Sequence, residues 1–450
     1  MLNKKRFAGF SKFAMIVSVL IAWFAVPYGT AQGDNAVWSA TTKVPSSAFI
    51  DASVVTGTDL CAKIFNSIAL LPASGGVVDA RGVNSGTGQT CTSGTPWVQG
   101  TSGANRPSIV LLPSGTITTS RAWILPNGTK ILGQGAGAHG DSVTTLQAAS
   151  GFAGVIIQMG PNSNNSPLTA CPANTGCTGV GVEDLALQGN TSAANSGIVN
   201  GQSQDMSYVR RVSMYQLGGI GLKLQNGGAT ASAKNSGPYS EITFDAGVAG
   251  STNTICAQIL ATTTANLPTR GLRGISCSSN ATSSVGIQLD SSNNSIEDVH
   301  IQGFSDGIVI GSTANVSATS NVLLNVNGNS DVNNLIHLEN VGTVADIGIV
   351  GISANGSAVS LEDDVSASPS LKLSDAYIAM YMLGESTPIS SSFNAYSRFT
   401  TSTSPSIVTW ASGSTSPAGS TCANKGSFFS YAPASGSGDL FLCTGSWISF

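Results

Sequence analysis

The sequence predicts an all-β solenoid, in which short strands stack coil upon coil. A phrase of two short apolar strands separated by Gly or Asn recurs between Val180 and Gly384. Aligned on one inward apolar position, the phrases are 27, 30, 57, 25 and 23 residues apart, and the longest interval covers two coils. Charged residues make up only 9% of a chain with 53 glycines, which favours strands and turns over helices. The aligned positions are Leu185, Val212, Ile242, Val299, Leu324 and Ile347.

The first 31 residues have the pattern of a secretory signal peptide, with cleavage expected after Ala31. Residues 32–57 form a polar leader. Without the signal peptide the chain keeps 15 basic and 23 acidic residues, a net charge of −8, and no basic stripe, so nucleic acid is not an expected partner. No later apolar run is long enough to span a bilayer. The bases that precede the apolar run are Lys4, Lys5, Arg6 and Lys12.

All eight cysteines lie in the part of the chain expected to be exported. An even number in a secreted protein favours disulfides, and buried free thiols are the alternative. A zinc site is disfavoured because no Cys-x-x-Cys spacing occurs. Neighbours in sequence offer the pairs Cys61 with Cys91, Cys171 with Cys177, Cys256 with Cys277, and Cys422 with Cys443.

Residues 58–72 predict one amphipathic helix. Thr58 or Asp59 can cap its start, and Pro72 follows its end. A solenoid has to cover its first open edge, so we expect the helix to serve as a cap. Its apolar face consists of Leu60, Ile64, Ile68 and Leu71.

Short β-branched strands follow the helix, and their turns carry three motifs in a fixed order. A Gly-Gly strand begins at Gly75, a Leu-Pro-x-Gly strand at Leu112, and an Ile-x-Gly-x-Gly turn at Ile131, followed by Thr145 and Leu146. The chain here resembles the right-handed parallel β-helix proteins of the pectate-lyase-like superfamily, in the branch of rhamnogalacturonase-like enzymes and phage tailspike relatives. The resemblance covers roughly residues 50–384 and implies a right-handed parallel β-helix with a polysaccharide partner. Such folds host lyases, hydrolases and binding proteins alike.

Domain organisation follows from composition. Residues 58–384 are expected to hold the capping helix and the β-helix, residues 385–420 a Ser/Thr/Pro-rich linker, and residues 421–450 a small cystine hairpin module. The oligomeric state stays open, with a tailspike-like trimer as one option. The Gly-rich segment Gly135–Gly140 matches a dinucleotide fingerprint, but the following residues are strand-like, so we interpret its glycines as turn residues.

Stacking the coils brings polar residues into columns, because equal positions on neighbouring parallel strands lie about 4.8 Å apart. One column contains Asp184, Arg211, Glu241 and Asp298. Two outward rows follow it: Ser213, Thr243 and His300 in the first, and Gln188, Tyr215, Asp245 and Gln302 in the second.

This polar face is the candidate site, with Asp184, Arg211, Glu241 and Asp245 as catalytic candidates. Asp184 and Glu241 would be about 9.6 Å apart, just beyond the range of an inverting glycosidase pair. Arg211 between them would lower carboxylate pKa values, whereas a general acid needs a raised one. Arg211 fits a lyase better, as a base or as a clamp on a substrate carboxylate. A ladder of charges that only pairs the coils is the structural alternative.

Ca²⁺ is the cofactor that these residues could hold, with Glu241 and Asp245 as ligands, and the acidic run at Glu362 is a second option. Tyr215 is expected to face outward and to bind substrate together with His300 and Gln302.

The sequence therefore predicts a secreted polysaccharide-active protein, either a lyase or a glycoside hydrolase, with a uronate-containing extracellular glycan as one option. The alternative is a non-catalytic adhesin or glycan-binding spike, since the histidines are few and the family's catalytic signatures are missing.

Overall fold

The computed structural model describes residues 48–449 with gaps. The gaps are residues 85–87, 93, 98–105, 138–142, 162–170, 172–175, 191–194, 227–232, 247–253, 262–265, 282, 330–332, 340, 346, 356–358, 364–376, 380–409, 414–416, 419, 422–427, 432–438 and 444–445. The predicted signal peptide and most of the predicted leader and linker lie outside the described residues.

The single α-helix of the described residues, α1, spans Leu60–Leu70 and confirms the predicted cap. The Asp59 carboxylate accepts a hydrogen bond from the Ala62 amide at 2.9 Å and so caps the helix start. The predicted apolar side chains are buried against the first strands of the fold. A 3-10 helix at Ala52–Val54 precedes α1, and the Lys63 ammonium donates to two carbonyl groups beside it.

Thirty strands make up the rest of the described structure. The first nine are β1 (Phe49–Asp51), β2 (Gly76–Asp79), β3 (Gln89–Cys91), β4 (Ser108–Leu111), β5 (Gly115–Thr119), β6 (Trp123–Leu125), β7 (Lys130–Leu132), β8 (Thr144–Ala148) and β9 (Val155–Met159). The central ten are β10 (Gly181–Gln188), β11 (Ser196–Asn200), β12 (Tyr208–Tyr215), β13 (Ile220–Gln225), β14 (Tyr239–Asp245), β15 (Ile255–Leu260), β16 (Leu272–Ser278), β17 (Val285–Asp290), β18 (Ser295–Gln302) and β19 (Asp306–Ile310). The last eleven are β20 (Ser317–Thr319), β21 (Val322–Asn329), β22 (Asn334–Leu338), β23 (Thr343–Ala345), β24 (Gly348–Asn355), β25 (Val359–Asp363), β26 (Tyr377–Ala379), β27 (Trp410–Gly413), β28 (Phe428–Tyr431), β29 (Asp439–Cys443) and β30 (Trp447–Ser449).

Two long parallel sheets carry the fold. Sheet A has the order β1-β2-β4-β7-β10-β12-β14-β16-β18-β21-β24-β26, with β3, β5 and β8 joined at its N-terminal part. Sheet B has the order β25-β22-β19-β17-β15-β13-β11-β9-β6. From β9 to β19 the chain alternates strictly between the sheets, so each pair of strands is one coil of a parallel β-helix. The predicted fold class is confirmed.

The N-terminal boundary of the β-helix differs from the prediction. Strand β1 lies inside the predicted leader and pairs in parallel with β2, so the β-helix begins before α1. The polar composition of the leader hid this short strand, which has only Ile50 buried.

The core lies between the two sheets. The column Leu185, Val212, Ile242 and Val299 is at most 3% exposed, as the repeat predicts. The predicted continuation through Leu324 and Ile347 is wrong, because Val299 pairs with Val326 and Val326 with Ile352. Sheet B has small residues at positions where large side chains of sheet A extend across the core. A Cβ on Gly221 would lie 2.6 Å from the Phe244 ring.

Disulfides are confirmed for three of the four predicted pairs. Cys61–Cys91 ties α1 to β3, and Cys171–Cys177 closes a short loop. Cys256–Cys277 crosses the core from sheet B to sheet A. The fourth pair cannot be assigned within the described residues, because Cys422 lies outside them.

A separate four-stranded sheet of order β27-β28-β29-β30 forms the C-terminal part. Its β28 and β29 are the predicted hairpin, and β30 extends it antiparallel. Strand β27 lies inside the predicted linker and pairs in parallel with β28, so the small sheet starts earlier than its composition suggested. Within the described residues, no helix has the length and apolarity needed to cross a membrane.

Candidate functional site

The strands of sheet A are interrupted at one residue with a left-handed backbone. The φ angles are +57° at Asp184, +51° at Arg211 and +56° at Glu241. Regular pairing resumes on both sides of these residues, which places them at the same level of successive coils. A left-handed conformation costs an L-residue about 1–2 kcal/mol, so its recurrence marks a turn imposed by the fold. This bend column comprises Asp184, Arg211, Glu241, Gly274, Asp298, Asn325 and Gly351.

A loop of the preceding coil lies against the start of the bend column. That coil has two separate strands, β7 and β8, where later coils have one interrupted strand. The amides of Gly133 and Gly135 donate to the carbonyls of Glu183 and Asp184 at 2.9 and 3.0 Å. A Cβ on Gly133 would lie 2.2 Å from the Asp184 carbonyl oxygen, so glycine is required for this approach.

An ion-pair cluster occupies the first two coils of the bend column. The Arg211 guanidinium donates to both Asp184 oxygens, from Nε at 2.5 Å and from Nη2 at 2.7 Å, and also to Glu183. Arg210 donates to Glu183 from Nε at 3.0 Å and from Nη2. The Tyr208 hydroxyl donates to the second Glu183 oxygen at 3.0 Å. Two carboxylates and two guanidiniums thus satisfy one another.

The cluster fixes the charge of its members. Hydrogen bonds from Arg211 lower the pKa of Asp184. Burial opposes ionisation of Glu183, but hydrogen bonds from Arg210 and Tyr208 outweigh it and lower its pKa as well. The same contact with Asp184 raises the pKa of Arg211, and burial together with the bond to Glu183 raises the pKa of Tyr208 to about 12. Neither carboxyl can act as a general acid near neutral pH, and Arg211 is a poor base.

A surface cavity of about 380 Å³ opens beside this cluster. Its lining brings three of the four predicted catalytic candidates together, Asp184, Arg211 and Glu241, but not Asp245. Glu241 is exposed, and no hydrogen bond or ion pair of its carboxylate is found within the described part of the chain. The remaining lining residues are Gly135, Ala136, Gly137, Val212, Ser213 and Thr243.

The two predicted polar rows have the expected register. Ser213 aligns with Thr243, Ser276 and His300, and His300 is exposed. Gln188 aligns with Tyr215, Asp245, Ser278 and Gln302, and Gln302 is also exposed.

The predicted exposure of Tyr215 is wrong. Its side chain is 6% exposed, and its hydroxyl donates to the Gln188 amide oxygen at 3.1 Å. The outward phase of a strand does not ensure exposure, because neighbouring side chains on the same face pack over the ring. Tyr215 therefore offers no sugar-stacking surface.

No group of three or more His, Cys, Asp or Glu side chains suited to a metal ion occurs among the described residues. Glu241 and Asp245 lie on one strand, but Asp245 belongs to the row of Tyr215. The alternative calcium position around Glu362 rests on side chains outside the described residues.

Sequence reasoning missed Glu183, Arg210 and Tyr208, which hold the charged cluster together. A signal was present, because two adjacent acids on β10 align with two adjacent bases on β12. It also treated the glycines after Gly133 only as turn residues, whereas Gly135 and Gly137 border the cavity.

No protein-family model matches the chain, and no curated protein matches it. Among solved structures, the tailspike of E. coli bacteriophage HK620, determined in complex with a pentasaccharide, is similar at 12% identity and a TM-score of 0.42 over 76% of this chain and 57% of that one. ORF18 of Geobacillus virus E2 is similar at 12% identity and a TM-score of 0.38 over 76% of this chain and 62% of that one. The A-module of the mannuronan C-5 epimerase AlgE6 of Azotobacter vinelandii is similar at 13% identity and a TM-score of 0.35 over 76% of this chain and 98% of that one. The TM-scores are all below 0.5, so the assignment as a parallel β-helix rests on the strand pairing of the chain itself.

Proposed function

We propose that this protein is an exported polysaccharide-binding β-helix protein whose glycan site is the cavity beside Glu241 on sheet A. One observation carries the proposal: the Glu241 carboxylate, which has no partner among the described residues, and two hydroxyl side chains, Ser213 and Thr243, line a cavity of about 380 Å³. Ligand pockets typically measure 300–1,000 Å³, and sugar hydroxyls both donate to carboxylates and accept from hydroxyls. The predicted signal peptide and the three disulfides support export.

The roles of the candidate residues follow from their contacts. Glu241 accepts hydrogen bonds from sugar hydroxyls, while Arg211 lines the cavity beside it and is held by Asp184 and Glu183. Asp184 positions Arg211. His300 and Gln302, two coils beyond β14, extend the surface that contacts the glycan. Asp245 shares the row of Gln302 but does not line the cavity, so it has no assigned contact with the glycan.

A second candidate function is cleavage of the bound glycan, as a lyase or a glycoside hydrolase. The observation that favours it is the same unpaired Glu241, which could take up a proton as a general base. The lowered pKa values of Asp184 and Glu183 disfavour a hydrolase, because no partner carboxyl of the cluster can serve as the acid.

The test is retention of the purified exported protein on a panel of neutral and uronic-acid polysaccharides, with and without Ca²⁺. Wild-type protein should be retained by at least one glycan, and Glu241→Gln should weaken that binding about tenfold, since one charge-assisted hydrogen bond contributes about 1.5 kcal/mol. Asp298→Asn is the matched control. Asp298 occupies the same bend column, does not line the cavity, and should leave retention unchanged.

Unchanged retention of Glu241→Gln, or no retention of wild-type protein by any glycan, would overturn the proposal. Cleavage is monitored in the same samples. A rise in absorbance from unsaturated uronates indicates a lyase, and new reducing ends without that rise indicate a hydrolase. Either result would replace the binding function with the second candidate. Loss of that turnover in an Arg211→Ala and Glu241→Ala double variant would assign it to this cavity.

A further inference from the structure

The bend column and the row before it carry an excess of negative charge. The preceding row, in pairing register, reads Glu183, Arg210, Ser240, Arg273, Glu297 and Leu324. Together with the bend column from Asp184 to Asn325, these twelve positions hold five carboxylates and three guanidiniums.

Each of the three guanidiniums is already paired. Arg210 and Arg211 bind Glu183 and Asp184, and the Arg273 Nε lies 3.5 Å from the Asp298 carboxylate. Their positive charges are already compensated by carboxylates of the protein and are not available to pair with the carboxylate of a sugar.

The two remaining carboxylates have no cationic partner in the described structure. Glu241 lines the cavity, and Glu297 accepts a hydrogen bond from the Ser295 hydroxyl at 2.5 Å. A negatively charged ligand on this face would therefore meet net repulsion, which the paired arginines cannot offset.

The row on the other side of the bend column carries hydrogen-bonding side chains and, from β14 to β21, no carboxylate or guanidinium. From the cavity it continues through Thr243, Ser276, His300 and Asn327, with neighbouring positions about 4.8 Å apart. Thr243, His300 and Asn327 are exposed. Hydroxyl, imidazole and amide groups suit the hydroxyls of a sugar chain that crosses successive coils.

We infer that the glycan bound at this site is uncharged, and that Glu241 selects against uronate-containing polysaccharides. The inference rests on the proposed glycan-binding function and names its substrate class. A uronate carboxylate in the cavity would face the unpaired Glu241 carboxylate, whereas a neutral sugar would offer hydroxyl donors to the same oxygens. The role of Arg211 as a clamp on a substrate carboxylate is then replaced by a role within the ion-pair cluster.

The experiment compares matched pairs of polysaccharides that differ only in charge. Polygalacturonate, alginate and a glucuronoxylan are each tested beside their carboxyl-reduced counterparts, which keep the linkage and lose the charge. Affinities of the full exported chain are measured by affinity electrophoresis at low and at high salt. For the linkage that is bound, the reduced form should bind at least about fourfold tighter at low salt, since two carboxylates about 5 Å apart in water repel by about 0.8 kcal/mol. The ratio should fall toward one at high salt.

Two variants separate the inference from the function on which it rests. Glu241→Gln should reduce the ratio toward one, because it removes the repulsion. Thr243→Val should weaken both forms equally and leave the ratio unchanged. If the uronate form binds more tightly than its reduced counterpart, and Glu241→Gln weakens that binding, the inference is overturned while the glycan-binding function stands. Absence of binding to every polysaccharide of this set and of the neutral panel would overturn both.

Discussion

Removing Arg211 is the perturbation whose effect is best defined by the structure. Arg211→Ala deletes three hydrogen bonds, two to Asp184 and one to Glu183. Glu183 keeps Arg210 and the Tyr208 hydroxyl, whereas Asp184 loses its cationic partner. Hydrogen bonds to charged groups contribute about 1.5–3 kcal/mol each when buried. The Arg211 side chain is 37% exposed, so water replaces part of this contribution. We expect a loss of about 1–3 kcal/mol in the free energy of unfolding.

Urea unfolding monitored by tryptophan fluorescence measures this loss, with Arg273→Ala as the matched control. Arg273 is also an arginine beside the bend column, but its side chain is 69% exposed and it makes one contact at 3.5 Å. Its removal should cost less than about 1 kcal/mol. If the two variants unfold at the same urea concentration, the cluster around Arg211 contributes no more than a surface ion pair, and the reasoning is refuted.

The stability loss caused by Arg211→Ala should depend on pH in a defined direction. Asp184 and Glu183 have folded-state pKa values below their ordinary values of 3.8 and 4.5. Their stabilising contribution is therefore fully present above those ordinary values and is lost as the pH falls through the lower folded-state values. The stability difference between wild type and Arg211→Ala should be constant near neutral pH and should shrink below about pH 4. A difference that grows on acidification would contradict the assigned contacts.

Three further predictions concern the architecture. Glu241→Asn should stabilise the fold by up to about 1 kcal/mol in urea unfolding, because asparagine tolerates the left-handed backbone. Thr243→Gly on the same strand should destabilise it by about 0.5–1 kcal/mol. If both variants change the free energy of unfolding in the same direction, the left-handed bend at Glu241 is refuted. Replacing Cys256 and Cys277 by serine should cost about 3 kcal/mol for a separation of 21 residues, and an unchanged midpoint would argue against a bridge between the sheets. Gly221→Ala should cost about 1–3 kcal/mol through contact with Phe244, measured by thermal unfolding, and a neutral result would show that the interior is looser than described.

Much of the fold could be predicted because the spacing of the repeat shows which residues occupy equal positions on successive coils. Leu185, Val212 and Ile242 occupy equal positions on successive coils, so the alignment gives the register of sheet A as far as Val299. Beyond it the alignment fails, since Val326 and not Leu324 pairs with Val299. The capping helix was predictable from local signals at Asp59 and Pro72. Three disulfides followed from sequence proximity, which works here because neighbouring residues lie on the same or the next coil.

The site was predictable only in part, because side-chain direction depends on backbone angles that the pattern does not reveal. Asp184 and Arg211 were placed in one column, but the left-handed turn there was not predicted, although five of its seven positions are Asp, Asn or Gly, the residue types that tolerate this backbone. Tyr215 was wrongly expected to be exposed, since alternation gives the face of a strand and not what packs over it.

The most direct test of the proposed glycan site is a crystal structure of the chain without its predicted signal peptide, in complex with whichever glycan retains it most tightly. We expect a sugar unit in the cavity, with hydroxyls on the Glu241 carboxylate and the Thr243 hydroxyl, and with the chain continuing toward His300 across the coils. A glycan bound on sheet B or on the C-terminal sheet, with the cavity beside Glu241 empty, would contradict the claim.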